Sequence, residues 1–405
     1  MNSRALAEKI DQAWEASWKM FFVEKTGLFY DFITSRGEAD RMQYLPHPEE
    51  VAACDPNPCG WGTGMEDSAI HAGVMMAMVC DRFDVTGEAF LADYAVKILK
   101  GMVNCASAHG VNGFVARSVC PEDVKSVYPE TSRDQYTHLV HGLWRYYHSG
   151  LANESRLETC RELITSICEY IERCAVPENN YLIRRVDGKP SSLVSCKLWD
   201  VNPHEAARLP MFYAACWDMT GNKHWLKQYK KYAGEAVQQS TQVGLGQSFY
   251  PAYALMQTQC SLELLYQLEK NDDGFCSTCR QAMNMAAELA EFNAWHVHYD
   301  DAALDATGLC GDWRKFEIIK GVNHGHMVPI PPEIWRDAFW RVRESGEAAL
   351  AQLMVPERRM SNLQLNLLKL AITRHDYSKM SNSGLFYLQA AYWKAVKLGY
   401  LKSTV

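Results

Sequence analysis

Apolar residues recur at helical spacing in block after block along this chain, and two of the blocks end in the same way. Cys80-Asp81-Arg82-Phe83-Asp84-Val85-Thr86-Gly87 is followed by Phe90 and Leu91, and Cys216-Trp217-Asp218-Met219-Thr220-Gly221 by Trp225 and Leu226. In each, an apolar stretch stops at a glycine suited to the left-handed C-terminal position of a helix, and a second amphipathic stretch starts within a few residues. That is the signature of an antiparallel helix pair. Weaker copies stand at Ser149-Gly150, Asp273-Gly274 and Ser345-Gly346, so the turn glycines recur 53 to 72 residues apart, room for two helices and one connection. The pattern predicts helices near 3–22, 65–83, 88–106, 134–148, 153–174, 204–219, 223–240, 249–269, 275–292, 333–345, 347–372 with a break near Pro356, and 383–397.

Short glycine turns alternate with long connections, near 23–64, 107–132, 175–202, 240–248 and 293–330, which places all the long loops on one face. Helices that follow a long loop are rich in apolar and small residues (SAIHAGVMMAMVC, PAYALMQTQC), whereas those after a glycine turn carry more Lys and Glu. The first set is expected inside and the second outside. Six inner helices, six outer ones and a first helix that gains a partner only if the ring closes predict an all-α (α/α)6 toroid, one catalytic domain over residues 1–405. An open solenoid of helix pairs is the alternative.

Composition narrows the function. With 405 residues, 48% hydrophobic and 22% charged, the chain is long enough for a large core, and disorder is excluded. Lys and Arg total 41 against 48 Asp and Glu, a net charge of -7 with no block of like charge, which argues against nucleic acid or an anionic membrane as partner. A neutral or small polar ligand suits it better. Fourteen scattered cysteines behind a start with no apolar signal core read as reduced thiols of a cytoplasmic protein. The stretch AIHAGVMMAMVC is too short to span a bilayer. Composition leaves a homo-oligomer open.

In such a toroid the residues at the starts of the inner helices converge on one cavity. The second predicted helix opens with Gly64-Met65-Glu66-Asp67 and continues to His71; the fourth opens with Ser132-Arg133-Asp134 and continues to His138 and His141; the sixth opens with Asn202-Pro203-His204-Glu205 and adds Arg208; the eighth opens with Gly246-Gln247-Ser248-Phe249-Tyr250. Acids in a first turn also serve as caps and complement the helix dipole. Their recurrence at one level of the ring favours chemistry. Cleaving an acetal needs one carboxyl protonated near neutral pH and another ionised. Asp134 is expected as general acid with its pKa raised by like charges, Asp67 as its partner, and Glu66 and Glu205 as reserves. Arg133, Arg208 and His204 are candidates to hold a substrate carboxylate, His138, Gln247, Tyr250 and His324 to bind the substrate, and the loop residues Trp61, Tyr128, Trp199 and Trp313 to stack on sugar rings.

This layout resembles the six-hairpin glycosidase superfamily over nearly the whole chain, which implies a carbohydrate site where the inner helices begin. The placement of Asp67 and Asp134 is similar to the paired aspartates of unsaturated glucuronyl hydrolases, implying a short, uronic-acid-containing oligosaccharide substrate. The chain departs from that group at Gly246-Gln247-Ser248-Phe249, where a Ser-rich opening is expected. A sugar epimerase of the N-acylglucosamine epimerase type, a polysaccharide lyase and a helical-repeat binding scaffold remain alternatives. No cofactor is implied. His296-Val297-His298, expected as an extended loop segment, and His324-Gly325-His326 match no established zinc spacing, and Cys276-Ser277-Thr278-Cys279 lacks the βαβ context of a redox motif.

Overall fold

The computed structural model describes residues 3–246, 249–301, 306–321 and 325–402. Helices α1 (Ser3–Ala16), α2 (Pro48–Ala53), α3 (Ser68–Thr86), α4 (Leu91–Ser107), α5 (Arg133–Tyr147), α6 (Glu154–Cys174), α7 (Arg208–Thr220), α8 (Lys223–Ser240), α9 (Ala252–Leu268), α10 (Asp273–Asp301), α11 (Glu333–Leu353), α12 (Asn362–Arg374) and α13 (Gly384–Lys397) make up most of it. Two small antiparallel hairpins, β1 (Phe22–Val23) with β2 (Leu28–Phe29) and β3 (Glu317–Lys320) with β4 (Met327–Ile330), lie in the long connections.

Helices α3, α5, α7, α9, α11 and α13 each pack on the next, and α13 packs back on α3. The inner ring therefore closes, as the (α/α)6 toroid requires, and the open solenoid is excluded. Helix α1 lies against α12 and α13, so the N-terminal segment completes the outer ring beside the last pair. The division of labour follows composition: α3 is buried on nearly every face, whereas α4, α6 and α8 bury one stripe and expose the other. Gly87 and Gly221 end α3 and α7 at φ +65° and +67°, the left-handed caps that the repeat implies.

Where two inner helices cross, glycine serves a different purpose. A Cβ on Gly73 of α3 would stand 2.0 Å from the carbonyl oxygen of His138 on α5, and one on Gly142 would stand 2.5 Å from the carbonyl oxygen of Gly73. The ring is tight because these backbones touch. Gly346 belongs to the same class, and here the sequence expectation fails. No turn occurs at Ser345-Gly346; α11 runs through it, and Gly346 lets α11 approach Tyr387 of α13, whose carbonyl carbon a Cβ would meet at 2.5 Å. The break falls instead between Leu353 and Asn362, around Pro356. Helix α10 likewise runs on to Asp301, so His296 and His298 are helical and not extended. Asp273 begins that helix, and the turn precedes it.

Gly73→Ala should lower stability by about 1–3 kcal/mol, because the backbone of α5 has to move. Gly234→Ala, on the open face of α8 with nothing within 4 Å, should raise it by about 0.5–1 kcal/mol. Urea midpoints measure both; a neutral Gly73→Ala would contradict the close packing described.

Candidate functional site

The long connections gather over the face where the inner helices begin. Asp67 stands immediately before α3 and is fixed from three sides: Arg343 of α11 donates to Oδ2 at 2.7 Å, Gln135 of α5 donates to Oδ1 at 3.0 Å, and Arg117 from the α4–α5 connection lies 3.5 Å from Oδ1. Burial opposes its ionisation, but Arg343 and Arg117 outweigh burial and hold the carboxyl well below the usual range. Beneath it, the carboxylate oxygens of buried Asp31 accept the backbone N–H groups of Glu66 (2.7 Å) and Asp67 (3.1 Å), while the carbonyl of Asp31 accepts the N–H of Ser383 at the start of α13. One loop residue thus ties the candidate carboxylates to the seam between the first and last inner helices.

Two neighbours behave oppositely. Burial, reinforced by the charge of Asp67, lifts Glu66 to about 7, although its Oε1 accepts the Gly62 N–H at 2.6 Å. Burial likewise lifts Glu347, one turn beyond Arg343 on α11, to about 7 against the pull of that arginine, whose Nε donates to it at 2.7 Å. The guanidinium of Arg343 also lies 4.9 Å from the ring centre of Tyr387.

On the other side of the mouth, Arg208 of α7 donates to Asp134 of α5 and, at 2.8 Å, to Gln257 of α9, linking three consecutive inner helices. Burial would raise Asp134, but Arg208 and Arg133 prevail and lower it. The expectation of a raised Asp134 is therefore corrected: its charged neighbours are guanidiniums, where the sequence suggested carboxylates. Arg133 pairs with Glu205 and donates to the carbonyls of Val194 (2.6 Å) and Lys197 (2.9 Å), and Glu205 closes a capping box on Asn202. Asp67 and Asp134 keep 17% and 24% of their side-chain surface open, whereas Arg208 keeps 2% and Glu205 7%. Asp67 and Asp134 are the charges a ligand can reach.

Both arginines expected to hold a substrate are thus already engaged by carboxylates. His204 and His138 are neutral, each lowered to about 3, chiefly by burial. Deeper along the same stripe of α5, His141 bonds Glu263 of α9 at 2.8 Å; burial opposes its charge, yet Cys260 and Glu263 raise it to about 9. Trp61 stands half-buried with Arg117 5.5 Å from its ring centre, and Tyr250 is buried with its ring 5.0 Å from that of His204. Trp199 packs on Tyr232, and Trp313 is buried with its indole N–H on the carbonyl of Tyr44, so the ring of Trp313 is wall and not platform. Gln247 and His324 lie outside the described residues. Asp31, Arg117, Arg343, Glu347 and half-buried Tyr253, which feels the charges of Asp134 and Arg208, are site residues that the sequence reading missed.

Among the described residues one grouping has the atom types of a metal site: Asp31, Asp67 and His71, with ligand atoms within 4.8 Å of one another. It does not fit a cation, because two guanidiniums already neutralise Asp67, and each Asp31 oxygen already accepts a backbone N–H. All fourteen cysteines are free thiols. No helix among the described residues is long and apolar enough to cross a membrane.

No protein-family model and no curated protein matches the chain. Solved structures do. A family 76 glycoside hydrolase from a bovine Bacteroides thetaiotaomicron strain is 11% identical, with 96% of this chain and 78% of that chain covered and a TM-score of 0.52. A family 76 glycoside hydrolase (mannosidase) from Bacteroides thetaiotaomicron VPI-5482 is 8% identical, with 97% and 99% covered and a TM-score of 0.52. The chain shares with them the (α/α)6 toroid fold.

Removing Glu205 should leave the buried guanidinium of Arg133 without its directly bonded carboxylate, so Glu205→Ala is expected to cost about 3–5 kcal/mol. Glu205→Gln, which keeps the cap on Asn202, should cost less. Urea unfolding of both variants checks this, and wild-type stability in Glu205→Ala would contradict the pairing.

Proposed function

We propose that this chain is a carbohydrate-active enzyme, a glycoside hydrolase acting on short substrates that carry a uronic acid. The observation that supports it most is the division of the mouth carboxyls into two protonation classes: Asp67 and Asp134 held ionised by arginines, Glu66 held near 7 by burial beside Asp67. Acetal hydrolysis uses such a division, one carboxyl giving a proton to the departing oxygen and another carrying the charge that activates water or stabilises the oxocarbenium-like centre. The roles follow charge. Glu66 is the acid, Asp134 the open ionised carboxylate, and Asp67 the fixed anion whose field keeps Glu66 protonated.

The uronic acid rests on the placement of Asp67 and Asp134 at the starts of α3 and α5, which is similar to that of the paired aspartates of unsaturated glucuronyl hydrolases. The solved structures that share the fold and are named as glycoside hydrolases agree with this reading. A sugar epimerase is the second reading, favoured by two neutral histidines, His138 and His204, each with a buried ring nitrogen that has no hydrogen-bond partner among the described residues. Deuterium uptake from solvent into a free sugar, without bond cleavage, would select it.

The pH profile tests the assignment. Glu66 must be protonated to act, so kcat/KM should fall as pH rises through about 7. Asp67→Asn removes the neighbouring anion that raises Glu66, so its alkaline limb should move to lower pH, and Glu66→Gln should lose at least about 100-fold in activity. An unmoved limb in Asp67→Asn, measured on uronide disaccharides, would contradict the coupling.

A further inference from the structure

Resting on that reading, we infer that the group leaving the uronic acid is a flat apolar one, an aryl alcohol, received in a cavity beside Glu66. The cavity holds about 300 Å³ and draws its walls from five separate segments: Phe32, the loop of Trp61 and Gly62, Cys310, the hairpin strand that ends in Pro329 and Ile330, and the first turns of α11 with Trp335, Phe339 and Trp340. The walls are locked together. A Cβ on Gly62 would meet Pro329 at 2.9 Å, Phe32 meets Trp335 edge-on at 5.0 Å, and Trp335 stacks on Phe339 at 5.3 Å.

The cavity joins the site through charge. The two arginines that hold Asp67 face its aromatic rings, Arg117 at 5.5 Å from Trp61 and Arg343 at 5.8 Å from Trp340. Glu66 belongs to both spaces, for it lines the cavity while its backbone N–H rests on Asp31. Its Oε1 is taken by the Gly62 N–H, and Oε2 accepts no hydrogen bond from a described residue.

The chemistry of the walls selects the occupant. A sugar in this space would give up water around every hydroxyl and, among the described residues that line it, find charged partners only in Glu66 and Arg336, and each hydroxyl left unbonded weakens binding. One stacking face suffices for a pyranose; rings contributed from several segments suit a planar apolar group with no hydroxyls to satisfy. The step balances without a co-reactant. Water adds its oxygen to the anomeric carbon, the bond from that carbon to the aryl oxygen breaks with its electron pair going to oxygen, Glu66 supplies the proton that yields the free phenol, and the proton lost by water restores Glu66 through the ionised carboxylate and solvent.

The test uses the full chain and the Trp340→Ala variant, chosen because the Trp340 ring is half exposed and α11 does not depend on it for its core contacts. Two readouts separate this inference from the function beneath it. In the first, kcat/KM is compared for 2-naphthyl glucuronides of both anomeric configurations and for a glucuronyl disaccharide. The wild type should prefer the naphthyl substrate at least 10-fold, and Trp340→Ala should lose most of that preference. In the second, 2-naphthol alone is titrated with tryptophan fluorescence and ligand NMR; it should bind below about 1 mM and more weakly to Trp340→Ala. Hydrolysis of the disaccharide with no aryl preference would overturn the inference and leave the hydrolase reading standing. Binding of 2-naphthol without turnover of any glycoside would sustain the apolar site and overturn the hydrolase reading. Failure of 2-naphthol to bind would overturn the inference whatever the kinetics.

Discussion

Asp67 is a largely buried carboxylate with 17% of its side-chain surface open, and a carboxylate in that position is stable only while cations stand beside it. Arg343 and Arg117 come from distant parts of the chain, α11 and the connection after α4, and meet at Asp67 only because the ring is closed. Once this charge is fixed, the rest of the mouth follows. Glu66, next in sequence and packed in the same enclosure, is driven toward its neutral form. The two backbone N–H groups of this pair need an acceptor, and Asp31 supplies it from the loop that also reaches α13. Closure of the fold and protonation of the site are therefore one problem with one solution.

The same logic explains an interior that is polar for a helical core. Arg208 spans from Asp134 to Gln257, Arg133 reaches Glu205, and Glu263 of α9 receives both His141 of α5 and Lys394 of α13. These contacts link inner helices, or in the case of Glu205 an inner helix and the turn before the next one, at crossings other than those where Gly73, Gly142 and Gly346 bring backbones together. Such pairs contribute little net stability compared with hydrophobic packing, but losing one partner is costly, which makes them devices for fixing register between helices.

Much of the fold was legible because it is written in local signals. Gly87 and Gly221 carry the left-handed caps, and the contrast between apolar and Lys/Glu-rich helices separates inner from outer. Gly346 misled because glycine serves two physical needs, a left-handed φ and a close backbone approach, and one sequence does not distinguish them; Pro356, which cannot continue a helix, was the better sign of the break. The acids at the helix starts were found for the same local reason, whereas their electrostatic state was not. Asp134 was expected to feel carboxylates and instead meets Arg208, a partner 74 residues away that only the ring brings to it. Arg343 and Glu347 carried a readable signal, a pair one helical turn apart, hidden by the turn wrongly placed between them at Ser345-Gly346.

The central claim is that adjacent residues at the mouth hold opposite protonation states at neutral pH. Carboxyl carbon NMR of protein labelled at Asp and Glu, with Glu66→Gln and Asp67→Asn used to assign the two signals, measures this without any substrate. The account predicts that the Glu66 signal titrates near pH 7 and that Asp67 stays ionised well below the ordinary aspartate range. Both signals titrating near pH 4, as solvent-exposed carboxyls do, would contradict it.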